Sequence, residues 1–137
     1  MILMDTGPIV ALFDASDKYH SICVEEIKKI NEPLLSSWHV ITEAFYILGF
    51  SWKAQDNLWE FIIRGGLEIP SFESKYHNRC RELIDKYQDL PMDLADASLV
   101  AIGEDKDIHK IFTLDHKDFN IYRTKKKKRF KIIPSIA

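Results

Sequence analysis

The chain has 137 residues, of which 46% are hydrophobic and 29% charged, with a formal net charge of -2. That length and apolar content suit one compact domain over 1–137 with a substantial core. A near-neutral total excludes a global field that would attract a polyanion, so any nucleic-acid contact needs a local basic patch or bound cations.

Cys23 and Cys80 stand alone with no CxxC spacing, which argues against a zinc knuckle and for ordinary thiols in a reducing compartment. Asp5 interrupts the N-terminal apolar stretch and no later run approaches about 18 apolar residues, so a soluble, cytoplasmic protein without a membrane partner is expected.

Met1 to Met4 is a short apolar run, the pattern of a strand buried on both faces of a parallel sheet. Asp5 falls at its carboxyl end. Thr6-Gly7 supplies a tight turn, and Pro8 is preorganised for a first helical turn, so Pro8 to Phe13 reads as a helix. Ligands of open α/β sheets bind at the carboxyl ends of strands, which makes Asp5 a candidate for chemistry. Capping the following helix is an equally good account of it.

After a polar break at Asp14 to Asp17, His20 to Ile30 reads as an amphipathic helix. Pro33 to Ser37 suits a second strand, followed by a very apolar helix from Trp38 to about Phe50. Glu43 lies in its middle, among Val40, Ile41, Ala44 and Phe45, where an ionised carboxylate must find a cation, donors or a cleft. An exposed stripe shared with Thr42 and Gly49 is the simpler alternative.

Ser51 to Arg64 reads as a helix with Trp52, Leu58, Trp59, Phe61 and Ile62 in the core, ended by Gly65-Gly66. Leu67 to Ser71 suits a strand. Glu73 to Tyr87 is a charged outer helix whose Tyr76, Cys80, Leu83, Ile84 and Tyr87 follow the helical period. The segment from Leu90 to Ile102 places Asp93 and Asp96 one helical turn apart. The helix dipole accounts for Asp93, whereas Asp96 lies deeper among apolar neighbours and is the stronger candidate ligand.

Lys110 to Leu114 reads as a strand with Asp115 at its carboxyl end, on the rim that Asp5 would share. Asp118 follows in what reads as a loop, where acids need no special reason. Lys125, Lys126, Lys127, Lys128 and Arg129 form the only concentrated positive charge. Such a run is usually a solvated turn, but it could contact a phosphate backbone. Phe130 to Ile133 suits a last edge strand. Strands alternating with helices imply right-handed βαβ units and a mostly parallel sheet covered on both faces.

No Cys/His cluster, Gly-rich phosphate loop or GxSxG elbow is present, and His20, His39, His77, His109 and His116 do not group. Asp5-Thr6-Gly7 matches the tripeptide of aspartic proteases, but those are β-rich and Pro8 stands where their strand would continue. An aspartyl phosphotransferase typically wants a second acid two residues on, where Gly7 stands. What remains is carboxylates on separate elements, a donor set suited to Mg²⁺ or Mn²⁺ and to metal-assisted phosphodiester cleavage.

The ordered set of Asp5 in MDTGPIVAL, Glu43 in SSWHVITEAFYIL, Asp96 in MDLADASLVAI and Asp115 in FTLDHKDF resembles the PIN-domain family, especially the VapC-like ribonuclease toxins. The resemblance implies a three-layer αβα sandwich, an acidic Mg²⁺/Mn²⁺ site, endoribonuclease activity on RNA, a homodimer and a small antitoxin partner. It carries Asp5, Glu43, Asp96 and Asp115 over as site acids, with Glu43 orienting the hydrated ion. Thr6 and Thr113 match positions that orient water or carboxylates, and Asp93 and Asp118 flank the motif acids and could take part. The expectation is hydrolysis of RNA by metal-activated water. A non-catalytic RNA-binding module and a DNA-directed nuclease stay open as alternatives, the complete acid set favouring an enzyme.

Overall fold

The computed structural model describes residues 1–135; the last two residues of the expected domain, 136 and 137, lie outside the described residues. Four short strands, β1 (Ile2–Met4), β2 (Leu34–Leu35), β3 (Lys110–Phe112) and β4 (Lys131–Ile133), form one sheet in the order β2-β1-β3-β4. All three pairings are parallel, with Leu3 beside Leu35 and Ile111, and Phe112 beside Ile133. β1 is central and wholly buried, which is what an uninterrupted Ile-Leu-Met run requires.

Among the described residues, seven α-helices link and cover the strands: α1 (Thr6–Phe13), α2 (His20–Lys29), α3 (Trp38–Ile47), α4 (Trp52–Ile63), α5 (Lys75–Lys86), α6 (Leu94–Lys106) and α7 (His116–Ile121). The result is a three-layer αβα sandwich. α1 packs on α2 and α3, while α5 packs on α6. α6 is the buried axle of the molecule. From Ala95 to Gly103 every residue except Asp96 is buried, so its sequence is apolar all round. Gly103 is required there, because a Cβ would stand 2.9 Å from both the Leu3 side chain and the Ile108 carbonyl oxygen.

Local chemistry explains most of the helix starts. Asp5, Ser37, Ser51, Asp93 and Asp115 each accept a backbone N–H at the beginning of a helix. This corrects two expectations about depth. α6 begins at Leu94, so Asp93 is its cap and Asp96 sits in its first turn rather than in its interior. Asp118 lies in the first turn of α7 and not in a loop.

Three further expectations change. The strand expected over Leu67 to Ser71 reduces to a single bridge between Glu68 and Leu35, since Pro70 offers no donor to extend it. The helix expected to reach Phe50 ends at Ile47 and tightens into a 3₁₀ turn over Leu48–Phe50. Trp52 and Trp59, expected in the core, are 70% and 38% exposed, because α4 buries only the narrow seam of Ala54 and Leu58. Trp59 instead lies against Phe45 and Trp38 on the outer surface.

Candidate active site

Strand direction decides where the acids meet. Because all four strands run parallel, the segments leaving their carboxyl ends emerge on one rim, and the chain turns there into α1, α3 and α7. α6 starts at the same rim. An open cleft of about 710 Å³ results, lined by Asp5, Thr6, Glu43, Asp93, Asp96, Asp115 and Asp118, with Asp17 at its edge. No Lys, Arg or His side chain lines it. Thus the four motif acids, the two flanking acids and Thr6 are brought together, and Thr113 lies buried among them.

Asp5 is held by both carboxylate oxygens. Oδ1 accepts from the Thr6 N–H at 2.8 Å, and Oδ2 accepts from the Thr113 hydroxyl at 2.8 Å. The Thr113 oxygen in turn accepts from the Asp115 N–H at 2.9 Å, so a single hydroxyl ties the carboxyl ends of β1 and β3 together. Asp115 Oδ1 accepts from the Asp118 N–H at 3.1 Å, and Asp93 Oδ1 accepts from the Asp96 N–H at 2.8 Å. Three of the cleft acids are therefore helix caps as well, so the capping and chemical accounts of Asp5 coexist. The positive ends of three helix dipoles face the cleft and partly offset its charge.

That offset is incomplete. Burial, opposed by the Thr113 and Thr6 hydrogen bonds and reinforced by the charges of Asp115 and Glu43, raises the Asp5 carboxyl to about 6. Burial first, then repulsion from Asp5 and Asp93, raises Asp96 to about 8. Asp118 is also raised, by burial and by Asp115. Acids so disposed hold protons near neutrality unless a cation replaces them.

Residues outside the motifs complete the arrangement. The Tyr122 hydroxyl donates to Asp96 Oδ2 at 3.1 Å and pulls its carboxyl back toward ionisation. Tyr122 is fully buried against Phe119 and Tyr87, and it lies 26 residues from its partner, so no spacing rule pointed to it. Ser37, the cap of α3, pairs its hydroxyl with that of Ser98 on α6 at 2.7 Å, which fixes the helix carrying Glu43 against the helix carrying Asp96.

An all-oxygen donor set without a facing cation fits a hard divalent ion. The Thr6 hydroxyl oxygen is buried at the same place with no hydrogen-bond partner. Among the described residues, no three of Asp, Glu, His or Cys already stand close enough to clasp one ion. A hard divalent ion held there would take one or two of these carboxylates directly and keep waters in its remaining positions. The lysine run is not part of this cleft. Lys125, Lys126 and Lys128 line a separate pocket at the other end of α6, while Lys127 and Arg129 are exposed. The histidines stay out of the cleft as well; His39 packs on Phe72 and His109 pairs with Asp107.

Comparison with known proteins gives the following. No family model matches the chain. Ribonuclease VapC26 of Mycobacterium tuberculosis is 26% identical over 135 residues, covering 97% of this chain and 100% of that protein. The crystal structure of VapC20 from M. tuberculosis, described as a toxin cleaving the sarcin-ricin loop, superposes with a TM-score of 0.79 at 18% identity, over 85% of this chain and 92% of that one. A toxin-antitoxin complex from Klebsiella pneumoniae gives 0.66 at 17% identity, covering 87% and 90%. VapBC2 from Rickettsia felis, bound to a DNA fragment from its promoter, gives 0.63 at 20% identity, covering 96% and 97%. No described helix is long and apolar enough to cross a membrane.

Proposed function

From its PIN-domain fold and its full-length likeness to a VapC ribonuclease, we propose that this chain is an endoribonuclease that hydrolyses RNA phosphodiester bonds with Mg²⁺ or Mn²⁺. The observation that carries the reading is the cleft itself: Asp5, Asp96 and Asp115, from three separate elements, share a rim with no basic side chain, and burial and mutual repulsion raise the carboxyls of Asp5 and Asp96. Such charge is destabilising unless a ligand resolves it.

In this reading Asp5, Asp96 and Asp115 hold the divalent ion, and Glu43 on α3 orients the attacking water and takes up its proton. A bound divalent ion lowers the pKa of water and offsets charge on the phosphate and the leaving oxygen. Thr113 fixes the spacing of Asp5 and Asp115, and Tyr122 aims the Asp96 carboxylate through its hydroxyl. Thr6, with its unpartnered oxygen, is placed to orient a water, while Asp93 and Asp118 add negative charge at the edge.

The neighbouring structures solved as toxin-antitoxin complexes support a place for this chain as the toxin of such a pair, with residues 1–137 acting as one nuclease domain. Tyr46, Phe50, Trp52 and Ile63 on α3, the 3₁₀ turn and α4 are all more than half exposed. An antitoxin or a second copy in a homodimer would cover that apolar surface.

The test is cleavage of a labelled single-stranded RNA, and of DNA of the same sequence, with Mn²⁺, with Mg²⁺ and with chelator. RNA should be cut only when a divalent ion is present, and the Asp5→Asn protein should be inactive. Equal cutting with chelator, equal cutting by the variant, or cutting of DNA alone would overturn the proposal.

A further inference from the structure

The carboxyl end of α6 opens into a second pocket of about 660 Å³, walled by α5, the end of α6 and the turn over residues 124–128. Its acids are already satisfied. Glu104 pairs with Arg79, and Asp105 pairs with Lys75 at 3.1 Å and accepts from the Tyr76 hydroxyl at 2.6 Å. Asp107 meets His109 at 2.7 Å and Lys128 only loosely, at 3.6 Å. Lys125 and Lys126, which also line the pocket, have no ion pair among the described residues. Once the pairs are formed, the charge left over is positive.

The turn presenting these lysines is built rather than loose. Thr124 is buried; its N–H donates to the Lys128 carbonyl at 3.1 Å, and its hydroxyl oxygen accepts from the Lys128 N–H at 3.1 Å. The Lys127 N–H closes onto the Thr124 carbonyl at 2.8 Å, and the Lys125 N–H donates to Glu104 at 2.9 Å. Lys127 takes a left-handed φ of 63°, where Gly or Asn is the usual residue. The left-handed lysine persists because these hydrogen bonds fix the turn, so the backbone carrying Lys125 to Lys128 is set before any ligand arrives.

Position gives this surplus a use. The 13 residues of α6 separate the pocket from the acid cleft, roughly 20 Å at about 1.5 Å per residue. The path along β3 from His109 to Asp115, at about 3.3 Å per residue, is also roughly 20 Å. A cleft lined by acids repels phosphate everywhere except at its bound ion, so a strand seated there gains from positive charge one short stretch away. Because α6 and β3 are buried, a strand joining the two sites passes around them over the surface, so it needs more than the about six stacked nucleotides, at about 3.4 Å each, that the straight line would take.

We propose that this pocket is a phosphate-binding exosite, in which Lys125, Lys126 and Lys128 grip the backbone of an RNA strand whose other part lies in the acid cleft. The proposal rests on the nuclease reading for the substrate but not for the pocket. It assigns the lysines to affinity for long RNA and removes them from the chemistry.

The test uses K125Q/K126Q, since neither side chain supports an ion pair and the Lys125 N–H to Glu104 survives the change. K29Q/K53Q serves as a control of equal charge. Binding of a fluorescein-labelled RNA of about 20 nucleotides is read by anisotropy with chelator across a salt series, and cleavage of that RNA and of one of about four nucleotides is read with Mn²⁺. The slope of log affinity against log salt should flatten by about 1.4 in K125Q/K126Q, from two contacts at about 0.7 each, and not in the control. KM for the long RNA should rise about tenfold with kcat unchanged, and the short RNA should be cut as by the parent. Unchanged slope and KM, an equal loss in the control, or an equal loss on the short RNA would overturn the exosite. If the parent binds RNA in a Lys125- and Lys126-dependent way but cuts none, the exosite stands and the nuclease reading falls. If the parent binds no RNA, both fall.

Discussion

The two ends of α6 carry the same residue types in opposite electrostatic states. At its start Asp93 and Asp96 face Asp5 and Asp115 with no cation in the cleft, and Asp96 is raised to about 8. At its end Glu104, Asp105 and Asp107 each have a cationic partner, and the Asp105 and Asp107 carboxyls are lowered, Asp105 by Tyr76 and Lys75 and Asp107 by His109 and Lys128. Paired acids are structure, whereas unpaired acids gathered in a cleft are charge held in reserve for a ligand. The contrast matters more than the number of acids at either end.

The strongest way to break the comparison is to neutralise the unpaired end. Asp96→Asn keeps shape and removes one charge, so RNA cleavage should fall at least about a hundredfold, the upper range for disturbing a metal's supporting partners. The ion-free protein should melt at the same temperature or higher, because repulsion with Asp5 and Asp93 is relieved. Single-turnover cleavage and calorimetry on the same preparation check both halves; a variant that cuts at the parental rate would return Asp96 to a structural role.

pH sharpens the comparison. Asp5 and Asp96 have folded carboxyls raised above the ordinary 3.8, to about 6 and about 8. Between pH 4 and pH 8 the folded state therefore holds more protons than the unfolded one. Stability of the ion-free protein is full below about pH 4 for these groups and is lost as pH rises through 6 and then 8. The paired acids at the other end, shifted downward, lose their contribution only below about pH 4. Melting temperature measured with chelator should thus fall by several degrees from pH 5.5 to pH 8, while Mn²⁺ affinity rises over the same range as protons are displaced. A flat titration of Mn²⁺ affinity would contradict the raised carboxyls.

The smallest expected effect probes the hydroxyl that tempers the cleft. Tyr122→Phe removes the donor to Asp96 and leaves the ring packed on Phe119 and Tyr87. Asp96 should become harder to ionise, and Mn²⁺ affinity at pH 7 should drop about tenfold, with stability changed by only about 1 kcal/mol. The deficit should shrink as pH rises above 8, because the Asp96 carboxyl then ionises progressively even without the hydroxyl; a deficit that is independent of pH would mean the hydroxyl acts only through packing.

Much of this was legible in the residues. The apolar run ended by Asp5 gave away the end of β1, whereas β3 ends at Phe112, before the expected Leu114, and Asp115 follows in the turn; Glu43 and Asp96 stood out because their neighbours are apolar. The parallel sheet followed from alternation, as β1, β2, β3 and β4 bear out. The helix of Asp96 starts later than expected, because Asp93 accepts the N–H that begins it. Trp52 and Trp59 were not legible as surface residues, because a helix with several large apolar side chains does not itself show that only Ala54 and Leu58 of α4 are fully buried. Tyr122 was invisible because an aromatic among Phe119 and Phe130 reads as packing, and only the folded chain shows where its hydroxyl points. The lysines were visible as a run, but their distance from the acids depends on the length of α6.

The capping role of Asp5, Asp93 and Asp115 has a genetic consequence. Asparagine starts a helix about as well as aspartate does. The two residues are encoded by codons that differ in one base. At each of these positions a single base change therefore removes charge from the cleft while keeping a side-chain oxygen for the N–H it caps. Such an allele would keep the fold while losing charge at the site.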